Sequence, residues 1–347
     1  MGGLNLEMKS QTEKILHCMH GEKFIEPFIQ LVNENFPSSK HCFLVIKNKK
    51  FDIKPRSNIV FLKSNMSVFQ KCLIYMKRLN QVDKIILHGL FNRDILLVLF
   101  FQPWLLKKCY WVMWGGDFYF PQKQSWIKKQ VIKQIGHFVT YIKGDYELGR
   151  KWYGAKGEYH ECFMYPSNLY KKYDIKPNEH NTINIQLGNS ADPTNNHIEV
   201  LEKLLKYKDE DIKIFVPLSY GNEEYSKSVT LKGKEFFGDK FIPLMEFVPF
   251  EKYLEFLGEI DIAIFAHRRQ QAMGNMITLL GLGKKVYMRS DITPWKLFKD
   301  IDIEVFDVEN IELDLIDEVI KQNNLKRIKV YFSKENYHKQ LTRLFEA

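Results

Sequence analysis

The chain has 347 residues, 45% of them hydrophobic and 14% aromatic, and carries a formal charge of +9. That length exceeds what one hydrophobic core usually serves, so two domains of roughly 150 residues each are expected, and the apolar content excludes long disorder. The five scattered cysteines, Cys18, Cys42, Cys72, Cys109 and Cys162, show no C-x-x-C pair and no zinc-like spacing; they exclude a disulfide framework and predict reduced, mostly buried thiols in a cytoplasmic protein.

In chain order, the opening M-G-G-L-N-L-E-M-K-S lacks the apolar stretch of a signal peptide. Lys14–Met19 reads as a strand entering the loop His20-Gly21-Glu22-Lys23, with a helix near Pro27–Asn35. Cys42–Ile46, Ile59–Phe61, Lys84–Leu87, Tyr110–Met113 and Phe138–Ile142 read as further short strands between helical or polar stretches. The greasiest run, Ile95–Phe101, is too short for a membrane span, which needs about 20 apolar residues, so any membrane contact is expected from the surface. A second series follows at Ile183–Leu187, Lys213–Val216, Phe241–Met245, Asp261–Phe265 and Lys285–Met288, and Lys334–Phe345 reads as a terminal helix. Strands that are β-branched and continuously apolar, alternating with helices, indicate α/β domains with parallel sheets. The polar, proline-punctuated stretch 166–182 is the best linker, which gives an N-terminal domain 1–165, a C-terminal domain 183–325 and a terminal helix 326–347. Parallel sheets bind ligands beyond the carboxyl ends of their strands, so the chemistry is expected in a cleft between the two domains.

The positive charge is uneven. Residues 1–165 hold 25 Lys+Arg against 13 Asp+Glu, a net of +12, and the remainder holds 26 against 29, a net of −3. A basic N-terminal half points to nucleic acid, an anionic membrane or an acidic substrate; a solvated lysine-rich surface is the alternative. Lys123–Val139 projects as one helix, with Ile127, Val131, Ile135 and Phe138 on the apolar face and Lys123, Trp126, Lys129 and Lys133 opposite; Lys128 falls among the apolar positions. That face suits anionic lipid, and equally a plain solvated helix.

Polar turns close several strands. After Asp261–Phe265 comes A-H-R-R-Q-Q-A-M-G-N (Ala266 to Asn275), opening the helix-like stretch Met276–Leu282. Unpaired amides of a helix's first turn suit an anion; Gly274 admits a phosphate to the backbone and Arg269 neutralises it. G-N-S (Gly188 to Ser190) ends Ile183–Leu187 before a helix beginning near Asn195 or Asn196, and two such turns in one half point to a nucleotide diphosphate. H-G-L-F-N (His88 to Asn92) and W-G-G-D-F-Y (Trp114 to Tyr119) follow neighbouring strands. There His88 and Asp117 suit a general base and its orienter, or else a backbone-bonded histidine and a helix cap. V-P-L-S-Y-G (Val216 to Gly221) offers Tyr220 to a base or sugar, or to packing. No Ser-His-Asp elbow, H-E-x-x-H, Walker sequence or opening G-x-G-x-x-G occurs. Asp291, Asp300 and Asp302 form no D-x-D clamp near a strand end, so no obligatory metal is expected.

Together, H-G-L-F-N, W-G-G-D-F-Y, L-G-N-S-A-D-P-T-N-N-H-I, V-P-L-S-Y-G and R-Q-Q-A-M-G-N, in that order from about residue 84 to Trp295, resemble the bacterial TDP-N-acetylfucosamine:lipid II N-acetylfucosaminyltransferases, the 4-alpha-L-fucosyltransferase family. The resemblance implies a GT-B fold of two Rossmann-like parallel-sheet domains facing across a cleft. It implies transfer of a 4-acetamido-4,6-dideoxyhexose from dTDP to an undecaprenyl-diphosphate-linked glycan, as in enterobacterial common antigen assembly, by a protein peripheral on the inner face of the cytoplasmic membrane, generally without a bound metal or cofactor. By position, Gly188, Asn189, Ser190, Tyr220, Arg269, Gln270, Gln271, Gly274 and Asn275 line the donor site. His88 and Asp117 are the catalytic candidates, with Gly21, Asn92 and Trp114 beside the acceptor. The chain departs from the family pattern with Gly116 and Phe118 for Ala and Leu, and with Ala272 and Asn275 for Gly and Thr, which bears on sugar identity. The other readings are a GT-B-fold nucleotide-sugar epimerase, which consumes donor without acceptor, and a non-catalytic basic binding protein; the missing RNP-type motif argues against nucleic acid.

Overall fold

Short apolar segments between polar turns assemble here into two parallel sheets. The computed structural model describes residues 13–48, 50–63, 65–173, 175, 180–246 and 248–347. The N-terminal decapeptide and residues 174 and 176–179 of the expected linker lie outside the described residues. The chain forms two compact units. The first holds the chain through Tyr141, Tyr146–Pro166 and Leu344–Ala347, and the second holds Ile142–Asp145 and Ser167–Arg343.

The first unit contains β1 (Ile15–His20), α1 (Ile25–Asn35), β2 (His41–Ile46), β3 (Ile59–Leu62), α2 (Val68–Asn80), β4 (Lys84–His88), α3 (Arg93–Phe101), β5 (Cys109–Val112), α4 (Trp126–Gln134), β6 (His137–Val139), most of α5 (Lys143–Tyr153) and β7 (Glu158–His160). Its sheet runs β3-β2-β1-β4-β5-β6-β7, every pair parallel. Order reverses between β1 and β4, so the turns after these two strands flank a crevice at the carboxyl edge, the switch point of an open α/β sheet. Local chemistry fixes the helix starts there. Ser67 and Gln70 close a capping box on α2, and the Asn92 side-chain oxygen Oδ1 caps α3 by accepting from the amides of Asp94 and Ile95. Lys84 is buried, yet its ammonium donates to the carbonyls of Leu344, Phe345 and Ala347 at 2.9, 3.2 and 2.7 Å, where a cation meets the end of a helix.

One expectation fails on α4. The helix ends at Gln134, and the chain turns through Gly136, where a Cβ would stand 2.5 Å from the Lys107 carbonyl, into β6. Phe138 is therefore a strand residue packed on Trp111, and Lys123 precedes the helix. Lys128 sits on the apolar side as its position implied; it is buried, with its ammonium 5.7 Å from the Phe91 ring. Helices α2, α3 and α4 pack side by side. Five of the six exposed aromatics among the described residues, Phe69, Phe91, Phe101, Trp104 and Trp126, stand on this layer or its connecting turns.

The second unit contains β8 (Ile183–Leu187), α6 (His197–Leu204), β9 (Ile212–Pro217), α7 (Glu223–Phe237), β10 (Phe241–Leu244), α8 (Phe250–Gly258), β11 (Ile262–Phe265), α9 (Met273–Gly281), β12 (Lys285–Met288), α10 (Thr293–Asp300), β13 (Phe306–Asp307), α11 (Glu318–Tyr331) and most of α12 (Lys334–Glu346). Its sheet is also all parallel, in the order β10-β9-β8-β11-β12-β13. The reversal lies between β8 and β11, which makes the G-N-S turn and the Ala266–Ala272 turn neighbours. Each sheet buries a core of its own, around Trp111 and Phe118 in the first and around Phe241, Ile264 and Tyr287 in the second.

Candidate active site

At the second switch point, Gly188 has φ +69°, and a Cβ there would run into His197 and Asn195, so only glycine fits. The next residue, Asn189, joins the two turns. Its amide donates to Asn195 Oδ1 at 3.1 Å, its Nδ2 donates to Tyr220 at 3.0 Å, and its Oδ1 accepts from Gln271 Nε2 at 3.2 Å and His267 Nε2 at 3.1 Å. Because both partners of His267 Nε2, Asn189 Oδ1 and Asn195 Oδ1, are acceptors, that nitrogen carries the proton. Burial first, then Arg269 and His197, depresses His267 to about 3, so the ring is neutral. Ser190 is buried and accepts from Asn195 Nδ2, whereas half-exposed Tyr220 presents its ring to solvent.

Arg269 donates to Asp192 Oδ2 at 3.2 Å and to the Gln270 carbonyl at 3.2 Å, and its side chain is only 17% exposed. Burial opposes ionisation of Asp192, but hydrogen bonds from Thr194 and the charge of Arg269 hold its carboxyl below the usual range. The Thr194 hydroxyl lies 2.6 Å from Asp192 Oδ1 and 2.9 Å from Gln271 Oε1, and its single proton is shared between them. Three residues on, α9 begins after Ala272 in the left-handed region (φ 56°), and no side chain among the described residues caps it. Its first-turn amides therefore remain available beside a guanidinium. Gly274 packs on the backbone of Ser167, and Asn275 shares a hydrogen bond with Tyr253. The buried Gln270 Oε1, His267 Nδ1 and His197 Nε2 have no hydrogen-bond partner. Gly188, Asn189, Ser190, Arg269, Gln270 and Gln271 thus lie on one pair of neighbouring turns, whereas Tyr220 follows β9 and Gly274 and Asn275 stand in α9. Asp192, Thr194, Asn195 and His267, which complete the network, lie in the quoted motifs but carry no site signal in the sequence, because each is an ordinary polar residue until β8 and β11 become neighbours.

The first unit is built differently. Asp117 is fully buried: Oδ2 accepts from the Leu90 amide at 2.9 Å and Trp111 Nε1 at 2.7 Å, and Oδ1 accepts from the Trp114 amide at 3.1 Å. Burial pushes its carboxyl up, opposed by Lys128 and these three donors. His88 is equally buried and lies within a chain of side chains. Trp114 Nε1 donates to the Tyr165 hydroxyl (2.9 Å), which donates to His88 Nδ1 (2.8 Å); His88 Nε2 meets His17 Nδ1 (3.1 Å), and His17 Nε2 meets His41 Nδ1 (3.0 Å). An indole nitrogen only donates, so the direction of every proton follows, with each histidine protonated at Nε2. Burial drives His88 to about 3; burial, with Lys40 and Lys84 second, drives His41 to about 4; and His17, which also feels His41 and His88, falls well below its ordinary value. The chain is neutral throughout. Asn92, already a helix cap, donates its amide to Tyr75 at 2.6 Å, and Gly21 hydrogen-bonds Ile46 at the end of β2. Trp114 packs its ring on Phe24 and Phe91. His88, Asp117 and Asn92 thus present no free polar atom and act here by holding the turns.

One polar group at this switch point is differently placed. His20 ends β1, and its buried Nε2 has no partner. A small pocket lined by Cys18, Met19, His20, Gly89, Asn92 and Ile95 lies there. Burial lowers the His20 pKa, with Asp94 opposing, so its imidazole is neutral and able to take a proton. The sequence marked its loop but not the residue.

The sequence model of 4-alpha-L-fucosyltransferase, glycosyl transferase group 56, matches residues 15–347. The chain belongs to this family. It is a glycosyltransferase, which selects transfer over the epimerase and non-catalytic readings. Solved structures agree on the GT-B architecture. A glycosyltransferase from Rickettsia africae superposes with a TM-score of 0.66 at 13% identity, over 97% of this chain and 98% of that one. HepE of Anabaena, solved with UDP and glucose, gives 0.67 at 11% identity over 96% and 99%. The trehalose 6-phosphate synthase of Burkholderia multivorans gives 0.67 at 5% identity over 97% and 97%. Among the described residues of this fucosyltransferase-family chain, no helix is long and apolar enough to cross a membrane.

Proposed function

We propose that this glycosyltransferase moves an acetamido-deoxyhexose from a dTDP-sugar, dTDP-N-acetylfucosamine or a relative, to a hydroxyl of an undecaprenyl-diphosphate-linked glycan in surface polysaccharide synthesis. The observation that carries the reading is Arg269, braced by Asp192, beside the uncapped first turn of α9 at the second switch point. A guanidinium and the free amides of a helix's first turn stabilise a diphosphate as it departs, and they replace a divalent ion in that role. Asn189, Gln271 and Tyr220 offer hydrogen bonds and a ring face to the nucleoside or sugar. The acceptor belongs to the first unit, where His20 Nε2 takes the hydroxyl proton as the new glycosidic bond forms and the bond from the sugar's anomeric carbon to the diphosphate oxygen breaks. His88 and Asp117 keep the flanking turns in place for that step.

The family resemblance and the layer α2–α3–α4 support work at the inner face of the cytoplasmic membrane. Phe69 and Phe101 are 71% and 72% exposed, Trp104 and Trp126 58% and 63%. Between residues 63 and 134 stand 12 Lys+Arg against three Asp+Glu, one of which is the buried Asp117. Aromatic rings at headgroup depth with cations around them suit an anionic bilayer, each basic residue near the surface adding about 1 kcal/mol.

A nucleotide panel tests the donor. Thermal stabilisation by dTDP in EDTA, stronger than by UDP or GDP and weakened in Arg269→Ala, is expected; equal shifts with all three, or a shift only with added magnesium, overturn the dTDP or the metal-free part respectively. Sedimentation with phosphatidylglycerol vesicles tests the surface: binding should fall with salt and in the Phe101→Ser/Trp104→Ser/Trp126→Ser variant, and equal binding by the variant rejects that face.

A further inference from the structure

The outer edge of the first sheet carries a cluster that transfer does not use. Parallel register sets His137 beside Glu158 and Val139 beside His160, and side chains two apart on a strand share a face. Glu158 and His160 of β7 therefore stand on one face, with His137 of β6 next to them. One ligand atom from each lies within 4.8 Å of the others; His137 Nδ1 is 2.9 Å from His160 Nε2 and 3.7 Å from Glu158 Oε2. Ligands held about 2.0–2.1 Å from a tetrahedral zinc ion are about 3.3 Å apart, between these two separations.

We propose that His137, His160 and Glu158 form a zinc(II) site that fastens edge strand β7 to β6 at the rim of the first sheet. Two imidazoles and a carboxylate are borderline ligands suited to zinc, and water takes the fourth position. The site is held in advance. Tyr110 stacks flat on His137 with centroids 3.9 Å apart and planes 5° from parallel, and a hydrogen bond to the Lys107 backbone steadies the ring, the support a metal-bound histidine normally has. Each ring turns one nitrogen into the cluster, His137 Nδ1 and His160 Nε2. Lys84, whose charge also reaches both rings, is occupied by the carbonyls at the end of α12. A single N–H···N bond satisfies the histidine pair but leaves the Glu158 carboxylate, 78% exposed, aimed at neutral rings. A dication uses all three. His137 and Glu158 open their strands, whereas the transfer turns follow the carboxyl ends of β1, β4 and β5, so the ion is structural and compatible with metal-free transfer.

The test titrates Zn(II), and Co(II) as a visible probe, into the EDTA-stripped full chain. One equivalent with the intense bands of tetrahedral Co(II) and a zinc-dependent rise in Tm are expected for the wild type. Affinity should drop at least about tenfold in Glu158→Gln and in His160→Gln, with transfer activity retained in both. Failure of the wild type to bind one equivalent, or binding by the Glu158→Gln/His160→Gln variant as tight as the wild type's, overturns the site; the dTDP shift measured in EDTA is unaffected by either outcome.

Discussion

The two switch points share a topology and differ in chemistry. In the first, His88, Asp117 and Asn92 spend every polar atom on backbone amides or on His17, Tyr165, Trp111 and Tyr75, and among the described residues there only His20 keeps a buried nitrogen unpaired. In the second, the first turn of α9 stays uncapped near Arg269, and Gln186 Oε1, His197 Nε2, His267 Nδ1 and Gln270 Oε1 are buried without a partner. A crevice with one neutral imidazole suits the exchange of a proton; a crevice with free helix-end amides and a cation suits an anion. On the proposed reading, one unit supplies the proton acceptor and the other the diphosphate site.

Removing the single free imidazole breaks that contrast most severely. His20→Gln keeps the size and a hydrogen-bonding tip but no base, and transfer should fall by about 10²–10⁴-fold with the dTDP shift unchanged. Wild-type rates in this variant would leave the first crevice without a proton acceptor. Arg269→Ala should cost about 10²–10³-fold in kcat, the scale of losing one preorganised donor to developing charge. Because the guanidinium is bound to Asp192 rather than to the core, Tm should move little; a large fall in Tm with kcat preserved would make Arg269 a structural residue.

The strand–helix alternation made the two parallel-sheet domains readable, since buried parallel strands are continuously apolar. β7 and β13, of three and two residues, were not, because so short a run carries no periodicity, and α4 was overextended because Ile135 and Phe138 continue a helical spacing that Gly136 interrupts. The turns after β8 and β11, proposed as the donor site, were legible as turns because polar residues there interrupt apolar strands. The histidine chain was not: His17 and His41 lie inside apolar strands, far apart in sequence, and meet only through the pairing of β1 with β2 and β4.

That chain supplies the mildest way to sharpen the contrast. His17, His41 and His88 are neutral when folded, and each becomes an ordinary histidine near 6.5 when unfolded. The folded pKa is depressed, so below about pH 6.5 the unfolded state binds protons that the folded state refuses, and stability falls as pH falls toward the folded values, about 4 for His41 and about 3 for His88. Each such histidine removes up to about 1.4 kcal/mol per pH unit in that window. Urea midpoints followed by tryptophan fluorescence, with five of the six tryptophans in the first unit, should decline between pH 6.5 and 4.5 and be flat from 7 to 8. A His17→Phe variant should soften the acid slope while leaving the donor shift intact, since it removes one titrating link and keeps an aromatic ring between Phe28 and Phe43. An unchanged slope in that variant would mean that the acid sensitivity comes from the other histidines that burial depresses, His20, His137 and His160 of the first unit and His197 and His267 of the second, and not from the chain of His17, His41 and His88.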